Sequence, residues 1–169
     1  TWSNEAIADE FDTLADLLEI QGANGFRVRA YRSGARTIRG WLQPLADRLA
    51  DPTFDPMSIE GIGEAMAEKL RSLVTSGAIP QLDELRASIP AGVLDLMRVP
   101  GVGAKKAAAL YGSLGIDSLD ALESACREGR LRTLKGFSAK TESSILEGLA
   151  IARAANDRRL RAEVEERVE

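Results

Sequence analysis

The chain has 169 residues, 44% apolar, 28% charged and only 5% aromatic, with alanine and leucine prominent, which favours helices in one compact domain or two small ones. It contains no histidine and a single cysteine, which excludes Ser-His and Cys-His catalysis, the common zinc sites and an internal disulfide; Cys126 reads as a small buried residue. The net charge of −4 taken alone argues against nucleic acid, yet residues 21–45 and 99–116 hold no acid while carrying Arg27, Arg29, Arg32, Arg36, Arg39, Lys105 and Lys106, and such patches bind phosphate even on an acidic chain.

In chain order, Ile7, Phe11, Leu14 and Leu18 recur at helical spacing and predict a first helix over Asn4 to Ile20. Gly22 and Gly25 break it. Asn24 caps a second helix that ends near Arg39 and Gly40, with Val28, Tyr31, Ala35 and Ile38 on its apolar face. Arg29, Arg32, Arg36 and Arg39 fall in an arc beside that face, either as a landing strip for phosphates or as ordinary solvated residues. Pro44 starts a short third helix. The opening TWSNEAIADEF lacks the basic and apolar regions of a signal peptide, and no apolar run is long enough to span a membrane.

A repeat follows. Ile59-Glu60-Gly61-Ile62-Gly63 and Val99-Pro100-Gly101-Val102-Gly103 share one pattern 40 residues apart, each followed by alanine (Ala67, Ala107) and then leucine (Leu70, Leu110) at matching offsets. A weaker third copy, Leu134-Lys135-Gly136-Phe137-Ser138, has Ser138 for the second glycine, Glu142 for the alanine and Ile145 for the leucine. Gly77, Pro80, Pro90 and Gly92 punctuate the helices between copies. A last helix runs from Ala139 to about Ala155, and 156–169 reads as a charged tail or linker. A glycine-hydrophobic-glycine turn permits positive φ, lets another backbone approach and presents free helix-terminal N–H groups to a phosphate oxygen. Such a grip reads backbone and not bases. A dinucleotide fingerprint is excluded, because no strand precedes the glycines and Met66 and Lys106 stand where glycine or alanine is needed. Tight turns that bind nothing remain the alternative.

The pattern resembles the helix-hairpin-helix family of DNA-binding motifs. LLEIQGANGFRVRAYRSGARTIRG, SIEGIGEAMAEKL, RVPGVGAKKAAALYGSLGI and LRTLKGFSAKTESSILEGL, in that order, resemble the N-terminal region of bacterial family X DNA polymerases over about Asn4 to Ala155. The resemblance implies an all-α fold of tandem helix-hairpin-helix domains in two small helical subdomains: a lyase-like domain over 1–80, a fingers-like domain over 81–155, and 156–169 leading to a palm domain that these residues do not contain. It implies a gapped or nicked duplex with a 5′-phosphate as the partner, in base excision or gap repair, and adds Arg27 and Tyr31 to the candidates for sequence-independent DNA binding already read from the turns and basic stretches: Gly61, Ile62, Gly63, Gly101, Val102, Gly103, Lys105, Lys106, Arg29, Arg32 and Arg36. A Na⁺ or K⁺ ion at the hairpins would be held by main-chain carbonyls of Met57, Ile59 and Ile62, and of Met97, Val99 and Val102; magnesium belongs only to a palm, and no other cofactor is required. A cytoplasmic monomer without membrane contact is expected. The alternatives are a free-standing, non-enzymatic DNA-binding protein and an interaction module that has lost DNA.

The same resemblance aligns Lys69 with a 5′-deoxyribose-phosphate lyase nucleophile, and Tyr31 and Arg27 with its pocket. Met57, Ala65 and Gln81 stand where relatives carry lysines, and Glu64 and Glu68 set negative charge beside Lys69, so a solvated helix lysine is the competing reading.

Overall fold

A computed structural model describes residues 2–168, with the side chains of 156 and 159–168 outside the description. The described residues form helices and turns with no strand. The chain divides into two compact units, residues 1–89 and 90–169.

The first unit is built on α1 (Asn4–Ile20) and α2 (Gly25–Arg39). The Ser3 hydroxyl accepts the Ala6 N–H, and the Asn24 side chain accepts the Phe26 N–H at 2.8 Å, so both helices begin at capped ends. All eight residues of the two apolar faces inferred from spacing are buried, and Phe11 stacks on Tyr31 with ring centroids 6.0 Å apart. A short α3 (Leu45–Leu49) follows Pro44, which sits at the cap rather than in the first turn. Asn4 clamps the preceding loop by donating to the Trp41 and Gln43 carbonyls and accepting from the Leu45 N–H. Helices α4 (Glu64–Ser76) and α5 (Pro80–Ser88) complete the unit. Helix α5 packs on α1, so this helix, which lies beyond the boundary expected at residue 80, belongs with the first unit. Gly34 allows α2 to approach α4: a Cβ there would lie 2.2 Å from Met66 Sδ.

The second unit comprises α6 (Ala91–Leu96), α7 (Ala104–Leu114), α8 (Leu119–Arg127) and α9 (Ala139–Val168) around a core that includes Leu96, Leu110, Leu122, Leu131 and Ile145. Helix α9 does not stop near Ala155 but continues to Val168; most side chains of the expected charged tail lie outside the described residues. Gly92 is not a helix break. It lies inside α6, where a Cβ would fall 1.8 Å from the Asp117 carbonyl oxygen. Gly148 does the same for α9, whose backbone lies against Val99 and Pro100.

Candidate nucleic-acid interface

The three copies of the repeat fold alike. In each, the N–H of the second apolar residue donates to the carbonyl three residues earlier: Ile62 to Ile59 at 3.1 Å, Val102 to Val99 at 2.9 Å and Phe137 to Leu134 at 3.2 Å. Gly61, Gly101 and Gly136 occupy the third turn position with φ of 88°, 90° and 87°, a conformation that side-chain-bearing residues rarely adopt. The apolar residues Ile59, Ile62, Val99, Val102 and Phe137 are buried beneath the turns. The third copy, weaker in sequence, is therefore a complete hairpin in its backbone.

The second glycine plays a different part. Gly63 and Gly103 cap α4 and α7 with φ of −91° and −94°, which any residue adopts, and a Cβ at either would meet nothing within 4 Å. The fold does not demand glycine at these positions. What glycine supplies is an uncovered helix end: neither cap makes a side-chain hydrogen bond, and among the described residues the N–H groups of 64–66 and 104–106 have no acceptor, as first-turn donors of a helix do unless something caps them. In the third copy the Ser138 hydroxyl accepts the Thr141 N–H at 3.2 Å and covers that end from within.

Charge separates the hairpins further. At the second, Lys106 Nζ donates to the Gly101 carbonyl at 3.2 Å, which holds its ammonium against the turn, and Lys105 is exposed. The first is flanked by exposed Glu60, Glu64 and Glu68; Glu64 at the first helical position suits the helix dipole but occupies the field an anion would use. At the third, the buried Glu142 carboxylate accepts from the Arg132 backbone N–H and from Nε at 2.9 Å. The residue that breaks the sequence repeat thus ties this hairpin to the preceding turn, and Arg132 is engaged internally, as are Arg127 with Glu123 and Arg130 with Glu128.

The arginine arc of α2 is divided. Arg39 bridges Glu5, Asp9 and Asp12, and Arg32 bridges Asp16 and Glu19, all on α1. Burial holds the Asp16 carboxyl above its ordinary range despite Arg32. These arginines fasten α1 to α2, so the acids that seemed remote in sequence are the partners of the arc. Arg36 and Arg29 make no ion pair among the described residues; Arg36 is exposed, and Arg29 stacks over the Phe26 ring at 4.8 Å. Phe26 itself is 78% exposed, a residue the motif-based reading passed over. Its signal is a large aromatic on the polar face of an amphipathic helix. The α2 surface adjoins the first hairpin, since a Cβ on Gly61 would lie 3.9 Å from Thr37 Oγ1.

Lys69 and Tyr31 are brought together: Lys69 Nζ stands 5.6 Å from the Tyr31 ring centroid, within cation–π range. The Tyr31 hydroxyl is buried without a protein partner. Arg27 reaches the Gln81 side chain at 3.3 Å. No further lysine joins this group in the first unit, whose only lysine is Lys69. Among the described residues no group of histidine, cysteine, aspartate or glutamate is arranged to hold a metal ion, and no helix is long and apolar enough to cross a membrane.

Two family models match the chain: a helix-hairpin-helix domain over residues 2–79 and a SAM-like helix-hairpin-helix tandem over residues 93–150. The DNA polymerase/3'-5' exonuclease PolX of Bacillus subtilis is 33% identical over 141 residues, 83% of this chain and 24% of that protein. DNA polymerase lambda of Rattus norvegicus is 28% identical over 109 residues, 64% of this chain and 18% of that protein. The chain thus spans a quarter or less of these relatives. Three hairpins of one geometry in an all-helical frame, with those matches, make the chain a member of the helix-hairpin-helix proteins and a counterpart of the N-terminal region of family X DNA polymerases.

Proposed function

We propose that this chain binds DNA through backbone phosphates, independently of sequence, as the DNA-holding part of a family X polymerase-like protein acting at gaps or nicks. The carrying observation is the second hairpin: an uncapped helix end at Gly103, an empty space where a side chain would stand, Lys106 held on the turn and no acid from 99 to 116. Donors fixed on the main chain suit an oxygen that every nucleotide carries, and lysine adds charge without reading bases. In the first unit, the remaining Arg36 and the Phe26–Arg29 pair suit an unpaired stretch, where an exposed ring stacks on any base.

The test is binding to gapped and intact duplexes of unrelated sequence across a salt series. Lys105→Glu with Lys106→Glu should weaken binding equally for all sequences and lower the salt slope by roughly 0.7 to 0.9 per lost contact. Phe26→Ala should weaken the gapped substrate selectively. A folded double lysine variant with unchanged affinity would place any DNA elsewhere, and a sequence-dependent loss would mean base readout.

The main-chain carbonyls at the hairpins are chemically fit for Na⁺ or K⁺, because neutral oxygens suit a monovalent ion. The Ile59 and Val99 carbonyls accept one turn hydrogen bond each and keep a second lone pair. A bound ion would supply positive charge beside a phosphate. The Lys69–Tyr31 proximity favours one further reading, 5′-deoxyribose-phosphate lyase activity. Borohydride should then trap a covalent adduct on abasic 5′-phosphate DNA, and Lys69→Ala should abolish it without altering affinity. Absence of an adduct from the unchanged protein leaves Lys69 a solvated lysine.

A further inference from the structure

A second surface of the first unit has the opposite character. The loop over 52–57 and the start of α4 enclose an open cleft of about 410 Å³. Its floor is apolar, formed by Phe54, Pro56, Ala67 and Met57, and the Met57 side chain is half exposed. Asp55, Glu64 and Glu68 rim it, all exposed and none ion-paired among the described residues. The cation present, Arg71, donates to the Leu49 and Phe54 carbonyls and so is turned toward the loop that it holds. The apolar character continues past the cleft: Phe54 meets Trp41 edge-on, with centroids 6.4 Å apart, and the next residue, Leu42, is fully exposed on the loop clamped by Asn4.

We propose that this cleft docks a partner protein through a short segment that places lysine or arginine beside a large apolar side chain. The rim would repel nucleic acid and attract a cation, while the floor and Met57 offer an apolar anchor to an aliphatic side chain or to the stem of the cation itself. Glu64, Ala67, Glu68 and Arg71 share one face of α4, spanning on the order of 10 Å along its axis, enough for about three extended residues. By the helical period Lys69 lies roughly 150° around the helix from that face. A peptide in the cleft therefore leaves the Lys69 and α2 side of α4 open to DNA.

The test is an NMR titration of the whole chain with a capped heptapeptide alternating lysine and leucine, beside counterparts alternating glutamate with leucine and lysine with serine. The expected result is amide shifts concentrated at 52–57 and 64–71 with the first peptide. Its affinity should fall at least tenfold in a Glu64→Lys, Glu68→Lys variant and severalfold in Met57→Ser, which carries the test should the charge reversal fail to fold. The lysine–serine peptide should bind at least tenfold more weakly, the glutamate peptide should leave the spectrum unchanged, and saturating duplex DNA should leave the first peptide's affinity unaltered. Shifts scattered over the surface, equal binding of the lysine–serine peptide, displacement by DNA, occupation of the cleft by a second copy of the chain, or no shifts at millimolar peptide would each overturn the proposal.

Discussion

Gly103→Asp should raise the stability of the second unit and lower its affinity for DNA. The backbone at 103 has φ −94° and ψ −173°, and a Cβ there meets nothing within 4 Å, so the new side chain enters without strain. Aspartate is a preferred helix cap, ahead of glycine by a few tenths of a kcal/mol, and its charge at the start of α7 adds about 0.3 to 1 kcal/mol through the helix dipole. The third hairpin already carries the capped arrangement, with Ser138 accepting the Thr141 N–H; the equivalent donor in the second hairpin is the Lys106 N–H. A phosphate deprived of that donor loses a charge-assisted hydrogen bond of about 1.5 to 3 kcal/mol, and carboxylate repulsion adds to the loss. Affinity should therefore fall at least tenfold while the urea midpoint rises. Gly103→Ser, a neutral cap, should show the same opposition more weakly. Gly63→Asp should change binding less, because Glu60 and Glu64 already burden that end.

The measurement pairs urea denaturation with fluorescence anisotropy on a gapped duplex at low and moderate salt. A stabilised variant that binds as tightly as the parent would refute the claim that the open end of α7 holds a phosphate. A destabilised variant would refute the geometric reading of the cap.

Arg39→Ala should cost about 1 kcal/mol of stability through loss of its three carboxylate partners, with little effect on DNA affinity, whereas Arg36→Ala should do the reverse; thermal unfolding beside anisotropy separates them. Gly92→Ala should destabilise by roughly 1 to 3 kcal/mol or more, since its Cβ would strike the Asp117 backbone carbonyl, while Gly34→Ala should cost less because the obstructing Met66 side chain can swing away; chemical denaturation of both checks the order. Cys126 is pushed up from 9.0 to about 11, first by burial and then by Glu142 and Glu123. Because the folded thiol ionises later than the unfolded one, its stabilising contribution is fully present below pH 9 and is lost as the pH rises toward about 11. Cys126→Ala should flatten that alkaline loss in denaturant midpoints measured across the range.

The apolar faces of α1 and α2 were legible because every fourth or third residue repeats one choice, and a period survives whatever the helix packs against. The hairpins were legible because a glycine at φ near +90° leaves few alternatives. The extent of α9 was not, since the charged composition of 156–169 suits a solvated helix as well as a tail. Gly92 reads from sequence as a helix break, which it is not, and Gly148 carries no sequence signal at all. Each is required by a backbone from another element, and that approach leaves no trace in the glycine's own neighbours in sequence.

Charge was the least legible property, and the reason bears on function. The arginines of 21–45 and the acids of the first helix lie in separate stretches, so a count along the chain leaves the arginines unopposed. Packing α2 on α1 puts Arg32 and Arg39 onto five carboxylates and removes much of the apparent patch. In the third hairpin Glu142 does the same to Arg132. In the second, residues 99–116 contain no acid and none of their lysines forms an ion pair among the described residues, so the positive charge there remains available. A protein of net charge −4 can thus offer a polyanion a positive stretch, because five of its acids lock α1 to α2 and Glu142 holds the third hairpin, while residues 99–116 keep their lysines unopposed where the backbone also offers donors.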